Sequence, residues 1–466
     1  GKVLVNLTNT IARAIVGNEL WCMSGRYDLK TGQKVPGPGL GRTYAGGAVG
    51  GCVPPIVLGG GKLVTSSRGG GYTQYGDDPT KPPTMLFYAG ARGSCLQGMV
   101  PANGMFYTAQ NGCGCFPAQV GGLLAMGPGS EVPGTNEFTQ ARPVERGPAF
   151  GAVEAIPSTD DWPTYRQNAA RSGGITSAVP ETITMLWKVP CAKPGEGGFG
   201  YAWDSRIGSP QLLTAPVLAA GMVVIAGLNS GEVMALNPAT GARVWTALLG
   251  SRIDSPPTYY KGMFLVGCHD GWVYALRGKD GALAYRMRVA PRERRLMAHG
   301  LVESVWPATG AVLAHDGLAY VTAGRSSETD GGIALVAFKP ETGETVWSKG
   351  LGAKSGVLID IFSIQDGELA WRSMRLDPKT GAALAPAQKL SGQVGMLDGS
   401  WTAGYAKRSG GGARVGRAFG SMLAWNDQLV AGVGWAVART KAEAPKLENQ
   451  KFRQSLLQLN PAEPPC

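Results

Sequence analysis

The chain has 466 residues, of which 44% are hydrophobic and only 17% charged, with 71 glycines and 32 prolines. Glycine and proline together make up about 22%, against roughly 12% in an ordinary chain; this composition excludes disorder, long amphipathic helices and coiled coils, and suits many short strands joined by tight turns. The net charge of +11 is spread along the length without an RNP, helix-turn-helix or zinc-finger pattern, which points away from nucleic acid as a partner.

In chain order, the first residue is Gly1 rather than Met, and residues 3–7 already read as a strand, so the chain is expected to be a processed product or a fragment of something longer. Residues 25–35, GRYDLKTGQKV, hold a polar turn ending in Gly32. The same pattern returns as MALNPATGARVW (234–245), YALRGKDGALAY (274–285), VAFKPETGETVW (336–347) and, more weakly, MRLDPKTGAAL (374–384). In each, a strand runs into a turn whose last residue is Gly32, Gly241, Gly281, Gly343 or Gly381. Glycine there supplies the positive φ of a tight turn. In the three best copies an aromatic follows four positions later, at Trp245, Tyr285 and Trp347, and is expected to dock on the neighbouring repeat. Gly241 and Gly281 are 40 residues apart, and Gly343 and Gly381 are 38, the length of a four-stranded propeller blade; the 62 residues between Gly281 and Gly343 imply an insertion of about twenty. The apolar run 217–228 is broken by Gly221 and Gly227, reads as two strands around a turn, and falls short of the roughly 18 residues of a membrane helix.

Eight cysteines are present, and Cys52, Cys95, Cys113 and Cys115 cluster in the first third, which favours disulfides and an oxidising compartment over free thiols or a four-thiolate metal site. Zinc sites usually carry Cys-x-x-Cys spacing, absent here, and the three histidines show no i,i+3 or i,i+4 pairing, so no metal site is expected. No Gly-x-Ser-x-Gly elbow and no Walker A loop occurs.

The turn Ala/Met-x-Leu/Phe-x-x-x-Thr-Gly-x-x-x-Trp resembles the repeat of PQQ-like (quinoprotein-like) β-propellers, a class containing quinoprotein dehydrogenases and an outer-membrane assembly scaffold lipoprotein. Residues 161–173 (DWPTYRQNAARSG), 254–258 (DSPPT), 290–307, 323–333, 94–116 and 145–150 look most like signature stretches of large exported PQQ-like propeller proteins of planctomycete-type bacteria. The resemblance implies an all-β fold: a β-propeller of seven to nine four-stranded blades, or the end of one propeller plus a second. It further implies the last blades of a first repeat region in 1–125, a Gly/Pro-rich linker or strap in 126–160, and a second repeat set in 161–466, with Asp161, Trp162, Tyr165 and Arg166 in a strap that closes the ring. Quinoprotein alcohol dehydrogenases of this class hold PQQ over Ca²⁺ beside a vicinal disulfide, and pass electrons to haem in some members; here Gly114 separates Cys113 from Cys115 and no Cys-x-x-Cys-His segment occurs.

The insertion-bearing blade collects Arg294, Arg295, Glu303, Trp306, Arg325, Ser326 and Asp330. These residues read either as ties between long loops or as the lining of a pocket for a small polar ligand or saccharide, in which Arg with Asp or Glu grips an anionic or hydroxylated group. Three functions follow: a non-catalytic extracytoplasmic scaffold binding other subunits or copies of itself, without cofactor; a PQQ- and Ca²⁺-dependent oxidoreductase; or a binder of a small polar ligand. His269 beside Asp270 reads as a satisfied turn residue.

Overall fold

A computed structural model of the chain describes residues 12–37, 99–108, 123–127, 135–156, 162–174, 184–192, 213–352 and 359–384, apart from isolated positions, with short strands within 56–87 and 423–438 and the single residues Val120 and Thr182. Two compact units result, Gly1–Glu131 with Met297–Gly300, and Val132–Leu296 with Leu301–Cys466. The first contains a four-stranded antiparallel sheet, Ala12–Val16, Glu19–Cys22, Arg26–Asp28 and Lys34–Val35. It also contains a second four-stranded sheet and a three-stranded one. Buried Trp21 anchors the first sheet, with the Arg26 guanidinium 4.9 Å from its ring centre. The Asp28 carboxylate accepts the amides of Lys30 and Thr31, which fixes the turn that ends at Gly32.

The second unit repeats one motif in sequence order. Strands Val217–Ala219, Met222–Ala226, Glu232–Leu236 and Arg243–Leu248 form the first antiparallel meander. Thr258–Tyr260, Met263–Gly267, Trp272–Arg277 and Leu283–Arg288 form the next, and Leu313–His315, Leu318–Ala323, Ile333–Phe338 and Thr345–Leu351 the third. Ser363–Gln365, Glu368–Trp371 and Met374–Leu376 begin a fourth. Such meanders are the blades of a propeller. Their central strands are largely apolar; all six residues of Ile333–Phe338 are buried, because both faces of a blade are covered by neighbouring blades.

One contact joins each blade to the next. The Trp187 indole N–H donates to the Pro238 carbonyl at 2.8 Å, Trp245 to Gly278 at 2.7 Å and Trp347 to Pro378 at 2.9 Å, and the Tyr285 hydroxyl donates to Pro340 at 2.5 Å. Each acceptor belongs to the turn of the following repeat, and each ring lies flat on that turn's glycine. A Cβ on Gly241, Gly281, Gly343 or Gly381 would sit 2.5–2.8 Å from the ring of Trp187, Trp245, Tyr285 or Trp347, and all four glycines hold φ between +65° and +76°. Glycine is therefore required twice over, for the left-handed backbone and for the ring's approach.

Residues 162–171 run along the first strands of the blades. Trp162 exchanges two backbone hydrogen bonds with Leu218, Pro163 accepts the Tyr259 amide, and Ala169 accepts the Ile364 amide. Arg171 is fully buried, and its guanidinium donates to Thr164 Oγ1 at 2.6 Å and to the carbonyls of Tyr165, Ala311, Val312 and Phe362. Burial pushes this guanidinium down to about 9, with Arg166 adding to the fall and Tyr165 opposing it. The segment thus ties four blades by backbone and by one cation; Asp161 lies outside the described residues. Within 126–160, Val144–Arg146 adds a fifth strand to Leu283–Arg288, and a one-turn helix, Thr135–Thr139, packs on Thr345–Leu351.

Trp245→Ala and Trp347→Ala are each expected to cost about 3–5 kcal/mol, the usual loss for a buried aromatic. Gly281→Ala should destabilise by about 1–3 kcal/mol as an overpacked, strained site. Combined with Trp245→Ala it should cost clearly less than the sum, because removing the indole vacates the space the methyl needs. Urea unfolding of the four proteins in the cycle measures this.

Candidate functional site

The densest group of charged side chains among the described residues is buried where three successive blades meet. Arg252 and Asp254 come from the crossing after Arg243–Leu248, His269 from the turn before Trp272–Arg277, Glu303 from the strand Leu301–Ser304 in the insertion, and Arg325 from the end of Leu318–Ala323. The backbone sets them side by side: the His269 amide donates to the Arg252 carbonyl at 2.9 Å, and the Ser304 amide to the His269 carbonyl at 2.6 Å.

Glu303 is the centre. Its Oε2 lies 2.5 Å from Arg325 Nη2 and 3.0 Å from His269 Nδ1, the latter close enough for an ion pair but off the hydrogen-bond direction. Its Oε1 lies 3.5 Å from Arg252 Nη1. On the other side of the ring, His269 Nε2 is 3.2 Å from Asp254 Oδ2. Asp254 Oδ1 accepts the Gly310 amide at 2.7 Å and the Ser255 hydroxyl at 2.6 Å, and Ser255 in turn accepts the Ala311 amide. The side chains of this group are at most 6% exposed. Burial by itself would raise the Glu303 carboxyl; the charges of His269, Arg325 and Arg252 outweigh it and hold the group well below the usual carboxylate range. For His269, burial opposes the imidazolium, but the Glu303 charge and the contacts to Asp254 and Glu303 outweigh it and lift the ring above its ordinary value.

The residues singled out in the insertion-bearing blade divide among different environments. Glu303 and Arg325 pair directly. Trp306 is fully buried; its indole N–H donates to the Asp330 backbone carbonyl at 3.1 Å and its amide to Ser304 Oγ. Ser326 is buried in a turn whose carbonyl accepts from Thr329. Arg295 is exposed and pairs with Glu293 at 2.8 Å, whereas half-buried Arg294 accepts the Val305 amide through its backbone. Sequence reading missed Arg252, Asp254 and His269 as members of the cluster. Asp254 opens the DSPPT stretch, the one signal that marks it. Asp270 does cap its turn, accepting the Trp272 amide at 3.1 Å and the Tyr274 hydroxyl at 2.5 Å. Cys52, Cys95, Cys113 and Cys115 lie outside the described residues, where Cys22, Cys191 and Cys268 are free thiols.

The cluster does not fit Ca²⁺. That ion takes six to eight oxygen ligands, whereas here both Glu303 oxygens face cations and one Asp254 oxygen is held by an amide and a hydroxyl. Among the described residues no group of three or more His, Cys, Asp and Glu side chains is arranged to hold a metal ion. Chemically the arrangement is a buried ion network in which two carboxylates face two guanidiniums and one imidazole, and it links residues of three successive blades.

A family model described as outer membrane protein assembly factor BamB matches residues 171–357. Residues 171–357 thus carry a PQQ-like repeat domain. It is 30% identical over 226 residues to the outer membrane protein assembly factor BamB of Burkholderia pseudomallei (strain K96243), an alignment covering 47% of this chain and 51% of that protein. The chain spans about half the length of the curated relatives it matches. Among solved structures, the quinohemoprotein alcohol dehydrogenase of Comamonas testosteroni is 16% identical, with 51% of this chain and 42% of that one covered and a TM-score of 0.35. BamB from Moraxella catarrhalis is 16% identical, with 75% and 80% covered and a TM-score of 0.25. Structural likeness at this level says nothing of activity. Every sheet among the described residues is antiparallel, and the fold is all-β with four-stranded propeller blades.

Replacing Glu303 by Gln leaves the Arg252 and Arg325 guanidiniums without this counter-charge and should cost about 3–5 kcal/mol, the loss seen when one partner of a buried pair is removed. The stability contributed by His269 is complete below its unfolded value of about 6.5 and is lost as pH rises through its raised folded value. That of Glu303 is complete above about pH 4.3 and is lost as pH falls through its depressed value. The melting temperature should therefore decline on going from pH 6 to pH 9, and His269→Gln should flatten that slope.

Proposed function

We propose that this chain is a non-catalytic, extracytoplasmic β-propeller scaffold that presents its blade edges and loops to other protein subunits in an envelope or extracellular assembly. The observation that carries this reading is the burial of the Arg252–Asp254–His269–Glu303–Arg325 group. Its carboxylates answer cations and backbone amides of three blades, so its chemistry is directed inward, toward holding blades together. Fastened blades with exposed edges are what a scaffold needs, and no cofactor is needed for that role. The similarity to BamB, whose name assigns it to outer-membrane protein assembly, supports the same reading. No helix of the described residues is long and apolar enough to cross a membrane.

The reading includes the organisation 1–125 as end blades of one repeat region, 126–160 as a Gly/Pro-rich linker or strap and 161–466 as a further repeat set. It also includes oxidation of Cys52, Cys95, Cys113 and Cys115 in an oxidising compartment. Thiol titration in denaturant without reductant should find Cys22, Cys191 and Cys268 reactive and those four unreactive; all eight reactive would refute the extracytoplasmic assignment. Incubation with PQQ and Ca²⁺ should yield no reduction of an acceptor dye with alcohols or aldoses. Turnover that survives Glu303→Gln would place catalysis elsewhere in the chain and end the scaffold reading.

A further inference from the structure

The three complete blades of the second unit end in equivalent outer strands, aligned by the turn glycines Gly241, Gly281 and Gly343. Two of these edges are covered by the chain itself. On Leu283–Arg288, the strand Val144–Arg146 pairs antiparallel with Glu145 opposite Arg286, whose Nη2 it meets at 2.6 Å. The backbone bonds of that added strand fall on alternate residues: Arg288 donates to the Pro143 carbonyl at 3.0 Å, and the Ala284 carbonyl accepts the Gly147 amide at 2.7 Å. On Thr345–Leu351, the Arg142 amide donates to Thr345 Oγ1, and Phe138 lies so close over Gly350 that a Cβ there would be 2.7 Å from it.

The third edge, Arg243–Leu248, is the last strand of its sheet, and among the described residues no strand pairs with its outer side. The residues equivalent to Ala284, Arg286 and Arg288 are Val244, Thr246 and Leu248. Their inward-facing neighbours are already bonded: the ladder continues as Val233 opposite Ala247 and as the Leu249 amide on the Gly231 carbonyl. By the alternation of an antiparallel pair, Thr246 and Leu248 turn their amides and carbonyls outward; Val244 sits at the bulge opposite Ala235 and Leu236, the place at which its equivalent Ala284 offers its carbonyl to the Gly147 amide. Thr246 and Leu248 share one face, and Val244 and Leu248 are 49% and 74% exposed. An edge this long, without proline or lysine, is a template for another strand.

We propose, building on the scaffold reading, that Arg243–Leu248 is a docking strand for an extended segment of a partner protein, added antiparallel as Val144–Arg146 is added one blade on. The chain's own covering strand specifies the occupant. Where Arg286 calls for Glu145, Thr246 calls for an uncharged, β-branched residue. Two positions to either side of it, opposite Leu248 and Val244, the segment carries apolar side chains. Main-chain bonds supply the affinity and these alternate positions the selectivity.

The test uses the whole chain and a synthetic peptide of residues 142–148 carrying Pro143→Val, Glu145→Thr and Gly147→Val, with the unsubstituted peptide as control. The substituted peptide should slow hydrogen exchange of the outward Thr246 and Leu248 amides at least tenfold, and the control peptide, with its glutamate, should do so several-fold less. Thr246→Pro removes only an outward N–H and should keep the unfolding midpoint while abolishing the protection; Leu248→Ser should weaken it at least several-fold. The proposal is overturned if these amides are already slow in the protein alone, if a dimer seen by light scattering protects them, or if protection is absent or unchanged by Thr246→Pro. Dye reduction with PQQ would refute the scaffold reading without bearing on this exchange result.

Discussion

An aromatic ring laid on the turn glycine of the next repeat is the interaction on which the second unit depends. Trp187, Trp245, Tyr285 and Trp347 each need a floor without a side chain, and Gly241, Gly281, Gly343 and Gly381 supply it with a backbone twist that other residues adopt at a cost. The polar end of each ring then finds a carbonyl in the same turn, so a large apolar group is buried without leaving a donor unanswered. No blade can cover its own ring. Each meander therefore gains stability from its successor, as in other repeat architectures.

Because this device is local, it was legible in the sequence. A glycine and an aromatic four residues apart survive as a pattern wherever the turn is built the same way, and the spacing of Gly241, Gly281, Gly343 and Gly381 gave the blade length. The ion cluster was only half legible. Glu303 and Arg325 stand 22 residues apart within the insertion-bearing blade, and both are visible there as charges. Arg252 and Asp254 lie on the far side of a whole blade, and nothing short of the fold brings them to His269. His269 looked like a turn residue because it is one; its backbone serves the turn while its ring serves the cluster. Arg294 and Arg295 entered the candidate group through basic density, which measures composition and not direction, and Arg295 answers Glu293 at the surface.

The strap and the cluster show two ways of burying positive charge. Arg171 is answered by a hydroxyl and four carbonyls from the strap and two blades, an arrangement a five-donor planar fork allows and a lysine cannot reproduce. Arg252 and Arg325 are answered by one carboxylate, which the ring of His269 also faces. Both arrangements join elements far apart in sequence. Neither leaves an oxygen-rich cradle open to a divalent ion, and in both the cost of desolvation is offset by several partners at once.

The claim that the cluster fastens blades and receives no ligand is tested most directly by titrating the three histidines by NMR, with and without PQQ and Ca²⁺. The fastener account predicts that the His269 ring titrates above the ordinary histidine value, and that its curve is unmoved by PQQ and Ca²⁺. A His269 resonance that titrates below that value, or one displaced when PQQ and Ca²⁺ are added, would contradict it.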